Sequence, residues 1–318
     1  MAVPHLVVDV SGHGYGHAAM TLPILNELRL LRPCLKLTIR TSVPSTWIAE
    51  RLQGSFAYVH QPDLGMVMAN APHVQANESA LTYSFLHKHW NERVYDAAAR
   101  LVALEPTLLL SNIPYLSIAA ASKAGIPAIA MSSLNWADVF YHYCGHLPDA
   151  KTIWQQMVDA YATAHTFLQL APAMPMPSIH NGQEVGPVAF LGRDRGVELR
   201  RRFGWDADNI IALLALGGTP TELPITHWPR LGRVRLIAAS EFGFSHTHVR
   251  WAAEVGYPFI DLVRSSDRFS LIRKPGYGLV TESACNGVPI VLVSRPGWPE
   301  EGLISGMARE TWTRFDAH

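Results

Sequence analysis

The feature that most constrains the fold of this chain is the regular alternation of short apolar runs with longer amphipathic segments. The run HLVVDV at residues 5–10 is followed by residues 17–31, in which leucines recur at the spacing of one helical face. The same order returns around LKLTIRT at 35–41, TLLLSN at 107–112 and PAIAMSS at 127–133. Strands that are apolar on both faces are typical of parallel sheets covered by helices on each side. The pattern therefore predicts an α/β fold built on parallel sheets.

The same rhythm restarts after a proline-rich stretch, residues 171–187, which has the composition of an interdomain linker. The apolar runs of this second half are NIIALLAL (209–216), RVRLIAAS (233–240), FSLIR (269–273) and PIVLVS (289–294). Helices are expected over residues 246–256 and, in the first half, from about 79 to 104. We therefore predict two Rossmann-like domains, 1–170 and 188–318, whose parallel sheets face each other across a cleft.

Composition limits the classes of function. The chain has 318 residues, 48% of them hydrophobic, and a formal net charge of zero. A zero balance gives no electrostatic reason to expect a nucleic-acid partner. Three widely spaced cysteines without a CxxC pattern favour a reducing compartment, and neither a signal peptide nor a transmembrane segment is evident. We expect a cytoplasmic protein, with peripheral membrane contact and the oligomeric state left open.

The stretch GHGYGH, residues 12–17, lies between the first predicted strand and the first predicted helix. Backbone N–H groups and the helix dipole make such a turn a ready anion site. The dinucleotide fingerprint G-x-G-x-x-G is not met, because His17 holds the place of the last glycine and LKLTIRT ends without an acidic residue. A nicotinamide cofactor is therefore not expected. His13 and His17 are four residues apart, but no third ligand is indicated, so no metal is expected either.

A simpler reading of GHGYGH stays open at this point. The glycines could serve only to turn the strand tightly into the helix, with the histidines as structural residues.

A second glycine turn, Lys274-Pro275-Gly276-Tyr277-Gly278, follows the strand FSLIR and precedes a helix that carries Glu282. Amide groups and Lys274 suit a diphosphate, and Glu282 suits the hydroxyls of a ribose.

Taken together, these motifs resemble those of the GT-B glycosyltransferases. The nearest branch includes the bacterial enzyme that adds N-acetylglucosamine to the lipid-linked cell-wall precursor, and a group related to the N-terminal part of plant arabinose kinases. The elements that carry the resemblance are Gly12 to His17, residues 111–136 with Asn135-Trp136, Phe259-Ile260-Asp261, Lys274 to Gly278, Glu282, Gly287-Val288-Pro289 and Trp298-Pro299-Glu300.

The resemblance implies a donor site for a nucleotide-diphosphate sugar, a UDP-sugar above all, in the C-terminal domain. The backbone at Ile260 would meet the base and Glu282 the ribose. The residues implied at the diphosphate and the donor sugar are Gly217, Gly218, Lys274, Gly276, Tyr277, Gly278, Glu300 and Glu301. The N-terminal domain would bind a small-molecule or glycan acceptor, with Gly14, Gly16, Asn135 and Trp136 on the acceptor side.

The resemblance also implies an inverting reaction with His17 as general base, because a histidine with a near-neutral pKa suits that role. Helix dipoles and Lys274 would stabilise the departing diphosphate without a metal. Many relatives carry aspartate where this chain has Asn112. An asparagine can fix a histidine tautomer but cannot stabilise imidazolium by charge. Asp138 is an alternative orienting group.

Other functions remain open from the sequence. The Asn112 departure and the short stretch after Trp298-Pro299-Glu300 motivate a non-catalytic sugar-nucleotide-binding protein. A sugar-nucleotide epimerase or hydrolase on the same fold is a further alternative. The aromatic residues between Tyr83 and Trp90 could line an acceptor site, although aromatics at this density are more often core.

Overall fold

The structure is a computed structural model that describes residues 3–70, 73–215, 231–238, 249–267, 269–272 and 277–292. The chain divides into two compact units, and passes from the N-terminal unit to the C-terminal unit after Val188. Each unit contains a parallel sheet with helices, so the predicted α/β class is confirmed. Among the helices within the described ranges, none is long and apolar enough to cross a membrane.

The N-terminal unit is built on a seven-stranded sheet in the order β3-β2-β1-β6-β7-β8-β9. Its strands are β1 (His5–Val10), β2 (Lys36–Thr41), β3 (Ala57–His60), β4 (Met68–Asn70), β5 (His73–Val74), β6 (Leu108–Asn112), β7 (Ala128–Ser132), β8 (Thr166–Leu170) and β9 (Gly182–Val185). Its helices are α1 (Gly16–Leu31), α2 (Ser45–Ala49), α3 (Ala76–Lys88), α4 (Trp90–Val102), α5 (Tyr115–Lys123), α6 (Trp136–Cys144) and α7 (Ala150–Ala162). The strands β4 and β5 pair separately as a two-stranded sheet.

The central strand β1 sets the position of everything that follows it in the chain. All six of its residues are buried, as expected for a strand covered on both faces. It pairs in parallel with β2 on one side and β6 on the other, and Val10 is in register with Asn112. The strand order reverses between β1 and β6, and ligand sites of open α/β sheets lie at the carboxyl ends of strands at such a reversal.

Two segments of the N-terminal unit differ from expectation. The helix expected from about 79 to 104 is two helices, because His89, with φ −111° and ψ 29°, leaves the helical region between α3 and α4. This break lets the rings of His87 and Trp90 stack at 5.0 Å. Residues 171–187 contain β9, which pairs in parallel with β8, so part of the predicted linker belongs to the sheet.

The C-terminal unit is built on a five-stranded sheet in the order β12-β11-β10-β13-β14. Its elements are α8 (Gly196–Phe203), β10 (Ile210–Ala215), β11 (Val234–Ala238), β12 (Val249–Trp251), α9 (Ala252–Val255), α10 (Phe259–Arg264), β13 (Phe269–Ile272), α11 (Tyr277–Cys285) and β14 (Ile290–Leu292). The helix expected over 246–256 is wrong at Val249–Trp251, which form β12, and residues 246–248 lie outside the described residues. Val249 is buried and pairs with Leu236, so edge pairing with β11 prevails over helical patterning there.

A buried ion pair ties β1 to β2. Asp9 and Arg40 are in register, and the guanidinium donates from Nε and Nη2 to the two carboxylate oxygens, both at 2.6 Å. Both side chains are almost fully buried, at 4% and 1% exposed for Arg40 and Asp9. Gln61 Nε2 donates to the same carboxylate at 3.3 Å. A buried pair with this bidentate geometry leaves neither charge uncompensated.

Removing one partner of that pair should be costly. Asp9→Ala leaves the Arg40 guanidinium buried without its carboxylate, which typically destabilises a protein by about 3–5 kcal/mol. We expect the free energy of opening of β1 and β2, measured by hydrogen-exchange mass spectrometry, to fall by this amount. The control Glu50→Ala removes the exposed partner of Arg51 and should change stability by less than about 1 kcal/mol. Equal effects of the two substitutions would contradict the role given to the pair.

Candidate functional site

The turn between β1 and α1 can form only with glycine at two of its positions. A Cβ at Gly12 would lie 1.7 Å from Ser42 Oγ and 3.0 Å from Ser42 Cβ, so the turn runs against the segment after β2. Gly14 has φ of 83°, a conformation that side chains disfavour. At Gly16, by contrast, an added Cβ would meet nothing within 4 Å. Steric need thus accounts for Gly12 and Gly14 but not for Gly16.

His17, the second residue of α1, is held by Asn112 at the end of β6. The imidazole Nδ1 lies 2.9 Å from Asn112 Oδ1. The Asn112 amide Nδ2 donates to the His17 carbonyl at 3.1 Å and to Thr21 Oγ1 at 2.9 Å. The Thr21 hydroxyl donates in turn to the His17 carbonyl at 2.7 Å. His17, Thr21 and Asn112 are all buried.

This network determines which imidazole nitrogen carries the proton. A carbonyl oxygen can only accept, so the Asn112 group that faces the His17 carbonyl must be the NH₂. The oxygen of the same amide then faces Nδ1 and can only accept as well. Neutral His17 must therefore carry its proton on Nδ1, which leaves the lone pair on Nε2. This is the tautomer that a base acting through Nε2 requires.

Trp136, predicted on the acceptor side, lies beside both histidines of the turn. Its ring centroid is 6.2 Å from that of His17 and 5.2 Å from that of His13, the second in an edge-on arrangement. Asn135 has a local role, because its Oδ1 accepts from the Asp138 N–H at 2.8 Å and caps α6. The structure thus brings together His17, Asn112 and Trp136, while the side chain of Asn135 is used in the cap.

Asp138 is not the group that holds His17 Nδ1. Its carboxylate accepts hydrogen bonds from Asn135 Nδ2 at 2.9 Å, Trp154 Nε1 at 3.3 Å and Ser178 Oγ at 2.8 Å. These contacts tie α6 to α7 and to the chain before β9. The alternative that Asp138 replaces the missing aspartate is therefore wrong: Asn112 itself makes the bond to Nδ1.

Two residues of this region were not identified from sequence. Thr21 lies one helical turn after His17, so the four-residue spacing on α1 was an available signal. Asp63 lies in an irregular segment after β3, where no motif marks it. Its Oδ1 accepts from the Gly12 N–H at 2.9 Å, so it holds the glycine turn by a second contact besides Asn112. Burial raises the pKa of the Asp63 carboxyl, and the negative charge of Asp9 adds to that rise.

Three rings of α3 and α4, those of Tyr83, His87 and Trp90, stack with one another and with Tyr115, whereas Phe85 and Tyr95 are exposed. Tyr83 is fully buried, and His87 stacks on Trp90 at 5.0 Å and on Tyr115 at 5.7 Å. The His87 ring also bonds through Nδ1 to Gln156 Oε1 at 2.7 Å and through Nε2 to the Tyr115 hydroxyl at 3.0 Å. Burial lowers the pKa of His87 to about 4. His87 is therefore a neutral core residue.

Only some of the predicted donor residues fall in described parts of the C-terminal unit. Gly217, Gly218, Lys274, Gly276, Glu300 and Glu301 lie outside the described residues. Ile260 is half-buried in α10, Gly278 and Glu282 are buried in α11, and Tyr277 begins that helix. β10 and β13, which precede the two predicted diphosphate-binding segments in sequence, are neighbours, with Ala215 in register with Ile272. The strand order of this sheet reverses there, as it does between β1 and β6.

The described ranges of the chain contain no arrangement of side chains suited to a metal ion. No group of three or more His, Cys, Asp or Glu side chains in those ranges is arranged to hold a metal ion. The rings of His13 and His17, whose spacing raised the question, lie 5.2 Å and 6.2 Å from the ring of Trp136.

The chain has the fold of the GT-B glycosyltransferases. It superposes on UGT89C1 of Arabidopsis thaliana, solved in complex with UDP-L-rhamnose, with a TM-score of 0.58, 16% identity, and coverage of 100% of this chain and 86% of that chain. SnogD of Streptomyces nogalater superposes with a TM-score of 0.57 and 14% identity, and the match covers 100% of this chain and 87% of SnogD. A UDP-glucosyltransferase of Polygonum tinctorium that glucosylates indoxyl superposes with a TM-score of 0.59 and 14% identity. That match covers 100% of this chain and 86% of the glucosyltransferase. At these identities the likeness concerns the fold.

In sequence, the chain is 23% identical over 313 residues to the L-arabinokinase of Arabidopsis thaliana. The match covers 95% of this chain but 30% of the arabinokinase, so the chain spans less than a third of that relative's length. No protein-family profile matches the chain. Both the fold and this relative agree with the resemblance drawn from the glycine turns.

The lowered pKa of His87 gives stability a defined pH dependence. The unfolded ring takes up a proton near pH 6.5, whereas the folded ring resists protonation down to about pH 4. The contribution of His87 is therefore complete above pH 6.5 and is lost as pH falls toward 4. We expect His87 to account for a decrease of up to about 3 kcal/mol in the free energy of unfolding across this window.

Urea unfolding at a series of pH values measures this effect. His87→Gln removes the titrating ring and should flatten the decrease between pH 6.5 and 4, whatever its constant effect on stability. His180→Gln, at an exposed histidine, is the matched control and should keep the wild-type pH dependence. An unchanged slope in His87→Gln would show that the pH dependence arises elsewhere.

Proposed function

We propose that this chain is a glycosyltransferase that moves a sugar from a nucleotide-diphosphate sugar, a UDP-sugar above all, to an acceptor hydroxyl. The observation that carries the proposal is the His17–Asn112 hydrogen bond of 2.9 Å at the carboxyl ends of β1 and β6. It supplies a histidine in a defined tautomer at the strand-order reversal of a chain with the GT-B fold. A purely structural glycine turn would not need the tautomer to be fixed.

His17 acts as the general base in this proposal. Its Nε2 accepts the proton of the acceptor hydroxyl while that oxygen forms a bond to the anomeric carbon of the donor sugar. The bond from that carbon to the diphosphate breaks on the opposite face, so the configuration is inverted. The Nδ1 proton stays in its bond to Asn112 Oδ1 throughout, and that amide oxygen also faces the positive charge of the imidazolium with its dipole.

The C-terminal unit, which the sequence places at residues 188–318, is proposed to bind the donor. Three observations support this role. Glu282 is buried in α11, the two predicted diphosphate-binding segments follow neighbouring strands, and UGT89C1, which shares the fold, was solved with UDP-L-rhamnose. Amides at the start of α11 and the Lys274 charge would stabilise the leaving diphosphate, so we propose that no metal is needed.

The N-terminal unit is proposed to bind the acceptor. His17, Asn112 and Trp136 all belong to it, and each is buried around the glycine turn. We do not assign a kinase activity to this chain on the basis of the arabinokinase, because the match covers only 30% of that protein.

Turnover assays test the proposal. Purified protein is incubated with UDP-, GDP-, dTDP- and ADP-sugars and a broad set of acceptors, with and without EDTA, and release of the nucleoside diphosphate is followed. We expect turnover with a UDP-sugar that persists in EDTA. His17→Ala should lower kcat/KM by about 10²- to 10⁴-fold, the usual contribution of a general base. Asn112→Ala should lower kcat with little change in the KM for the donor. The substitution removes the hydrogen bond that fixes the His17 tautomer and leaves the donor site unchanged.

The exposed His180→Ala serves as the control and should keep wild-type turnover. Donor binding without transfer to any acceptor would favour a non-catalytic sugar-nucleotide-binding protein. Release of nucleoside diphosphate without acceptor would favour a hydrolase, and interconversion of the donor sugar an epimerase. Turnover that is equal in wild type and His17→Ala would reject His17 as the base.

A further inference from the structure

The first residues of the C-terminal unit, Phe190 to Arg195, run along two of its helices without forming a helix or strand of their own. Backbone groups of this segment are paired with side chains that belong to α10 and α11 or directly follow them. Toward α10, the Arg193 N–H donates to Asp261 Oδ1 at 2.9 Å, and the Arg195 N–H donates to Ser265 Oγ at 2.7 Å. Asp261 and Ser265 are both buried, so the segment has a fixed place against α10.

Asn286, the residue that follows α11, bonds to the same segment. Its Oδ1 accepts from the Gly192 N–H at 2.8 Å. Its Nδ2 donates to the Phe190 carbonyl at 2.9 Å and to the Glu282 carbonyl at 2.7 Å. Asn286 is only 3% exposed. Both ends of this buried amide are therefore used, and they join the segment to the part of α11 that carries Glu282.

Gly192 approaches α10 too closely to carry a side chain. A Cβ at this position would overlap the Ile260 carbonyl oxygen, and it would lie 2.7 Å from the Ile260 carbonyl carbon and 3.0 Å from Arg264 Cβ. The carbonyl group of Ile260 belongs to the backbone of α10 and cannot turn aside as the end of a flexible side chain can. Gly192 therefore contacts α10 directly, while its own N–H is bonded to Asn286.

These contacts connect Ile260 to Glu282 without a gap. The Ile260 carbonyl lies against Gly192, Gly192 bonds to Asn286, and Asn286 bonds to the Glu282 carbonyl. In the proposed donor site, the backbone at Ile260 meets the base and Glu282 meets the ribose. Base and ribose are joined by a single covalent bond, so a site that binds both needs its two helices at a fixed spacing.

We propose that Gly192 and Asn286 are positioning residues for the nucleoside of the donor. Together they set the spacing between the α10 backbone that meets the base and the α11 carboxylate that meets the ribose. This inference rests on the proposed function, because it takes the donor role of the C-terminal unit as given. It adds to that site two residues that act through Ile260 and Glu282 and do not touch the nucleotide themselves.

A pair of nucleotides separates this role from general support of the fold. UDP and ADP have the same ribose and diphosphate and differ only in the base, so the ratio of their dissociation constants isolates the base contact. Calorimetry on the full chain, without acceptor, would measure both constants. We expect wild type to prefer UDP, and Gly192→Ala to lower that preference by about 5- to 10-fold, because the added methyl group displaces Ile260. ADP binding should change by less than about twofold, because the ribose and diphosphate groups of α11 stay in place.

Asn286→Ala removes the other end of the connection and should lower the UDP preference by a similar factor. It also leaves the Gly192 N–H and the Phe190 carbonyl without their partner, so we expect the melting temperature to fall. Gly192→Ala removes no hydrogen-bonding group. It therefore tests the inference on its own if Asn286→Ala fails to fold.

Gly186→Ala and Asn181→Ala are the matched controls. Gly186 precedes the same segment, and a Cβ there would meet nothing within 4 Å. Asn181 resembles Asn286 because its Nδ2 donates to two carbonyl groups, those of Tyr161 and Ala164, but it belongs to the N-terminal unit. Asn181→Ala should lower the melting temperature and leave the ratio of UDP to ADP binding unchanged, and Gly186→Ala should change neither.

An equal ratio in wild type and in both variants would overturn the inference and leave the proposed function standing. Equal weakening of UDP and ADP binding would also overturn it, because the two residues would then support only the fold of the unit. A wild-type protein that binds neither nucleotide would reject the donor site and the inference with it. Base-selective binding that both variants lower, in a protein that transfers no sugar, would support the inference and reject the proposed function.

Discussion

The hydrogen-bonded group formed by Asn112, His17 and Thr21 is the interaction on which the rest of the account depends. Its strength as a constraint comes from the His17 backbone carbonyl, which cannot donate and so fixes the orientation of the Asn112 amide. The amide then fixes the imidazole proton on Nδ1. An aspartate at position 112 could not bond to that carbonyl while ionised. Compared with an aspartate, Asn112 lacks a negative charge beside the imidazolium, but its Nδ2 bonds to the His17 carbonyl and so anchors the first turn of α1.

The sheet brings this group together and the glycines allow it. Val10 and Asn112 are in register, so the residue after β1 and the last residue of β6 emerge side by side, and the Ser11 N–H bonds to the Asn112 carbonyl at 3.1 Å. Gly12 lets the chain pass against Ser42, and Asp63 holds the turn through its N–H. The buried Asp9–Arg40 pair fixes β2 beside β1, and with it the segment that carries Ser42. Each contact restricts where the His17 ring can lie.

Much of the fold could be predicted from the chain, because buried parallel strands are short apolar runs and the glycine turns mark their carboxyl ends. Asn112 and His17 were accessible through a familiar motif at both positions. Asp63 was not, because it lies in an irregular segment that no motif marks, and its bond to the Gly12 N–H forms only in the folded chain. The helix expected over 246–256 failed for a related reason: Val249 pairs with a strand distant in sequence, and tertiary pairing prevailed over local periodicity.

The central claim, that Asn112 fixes the Nδ1–H tautomer of His17, is tested most directly by histidine nitrogen NMR. Long-range proton–nitrogen spectra of ¹⁵N-histidine-labelled protein would be recorded at neutral pH, with His17→Gln to assign the His17 signals among the 15 histidines. The account predicts one ring with a protonated Nδ1 and an unprotonated Nε2, and a return to mixed tautomers in Asn112→Ala. A protonated Nε2 in the wild type, or the same spectrum in Asn112→Ala, would contradict it.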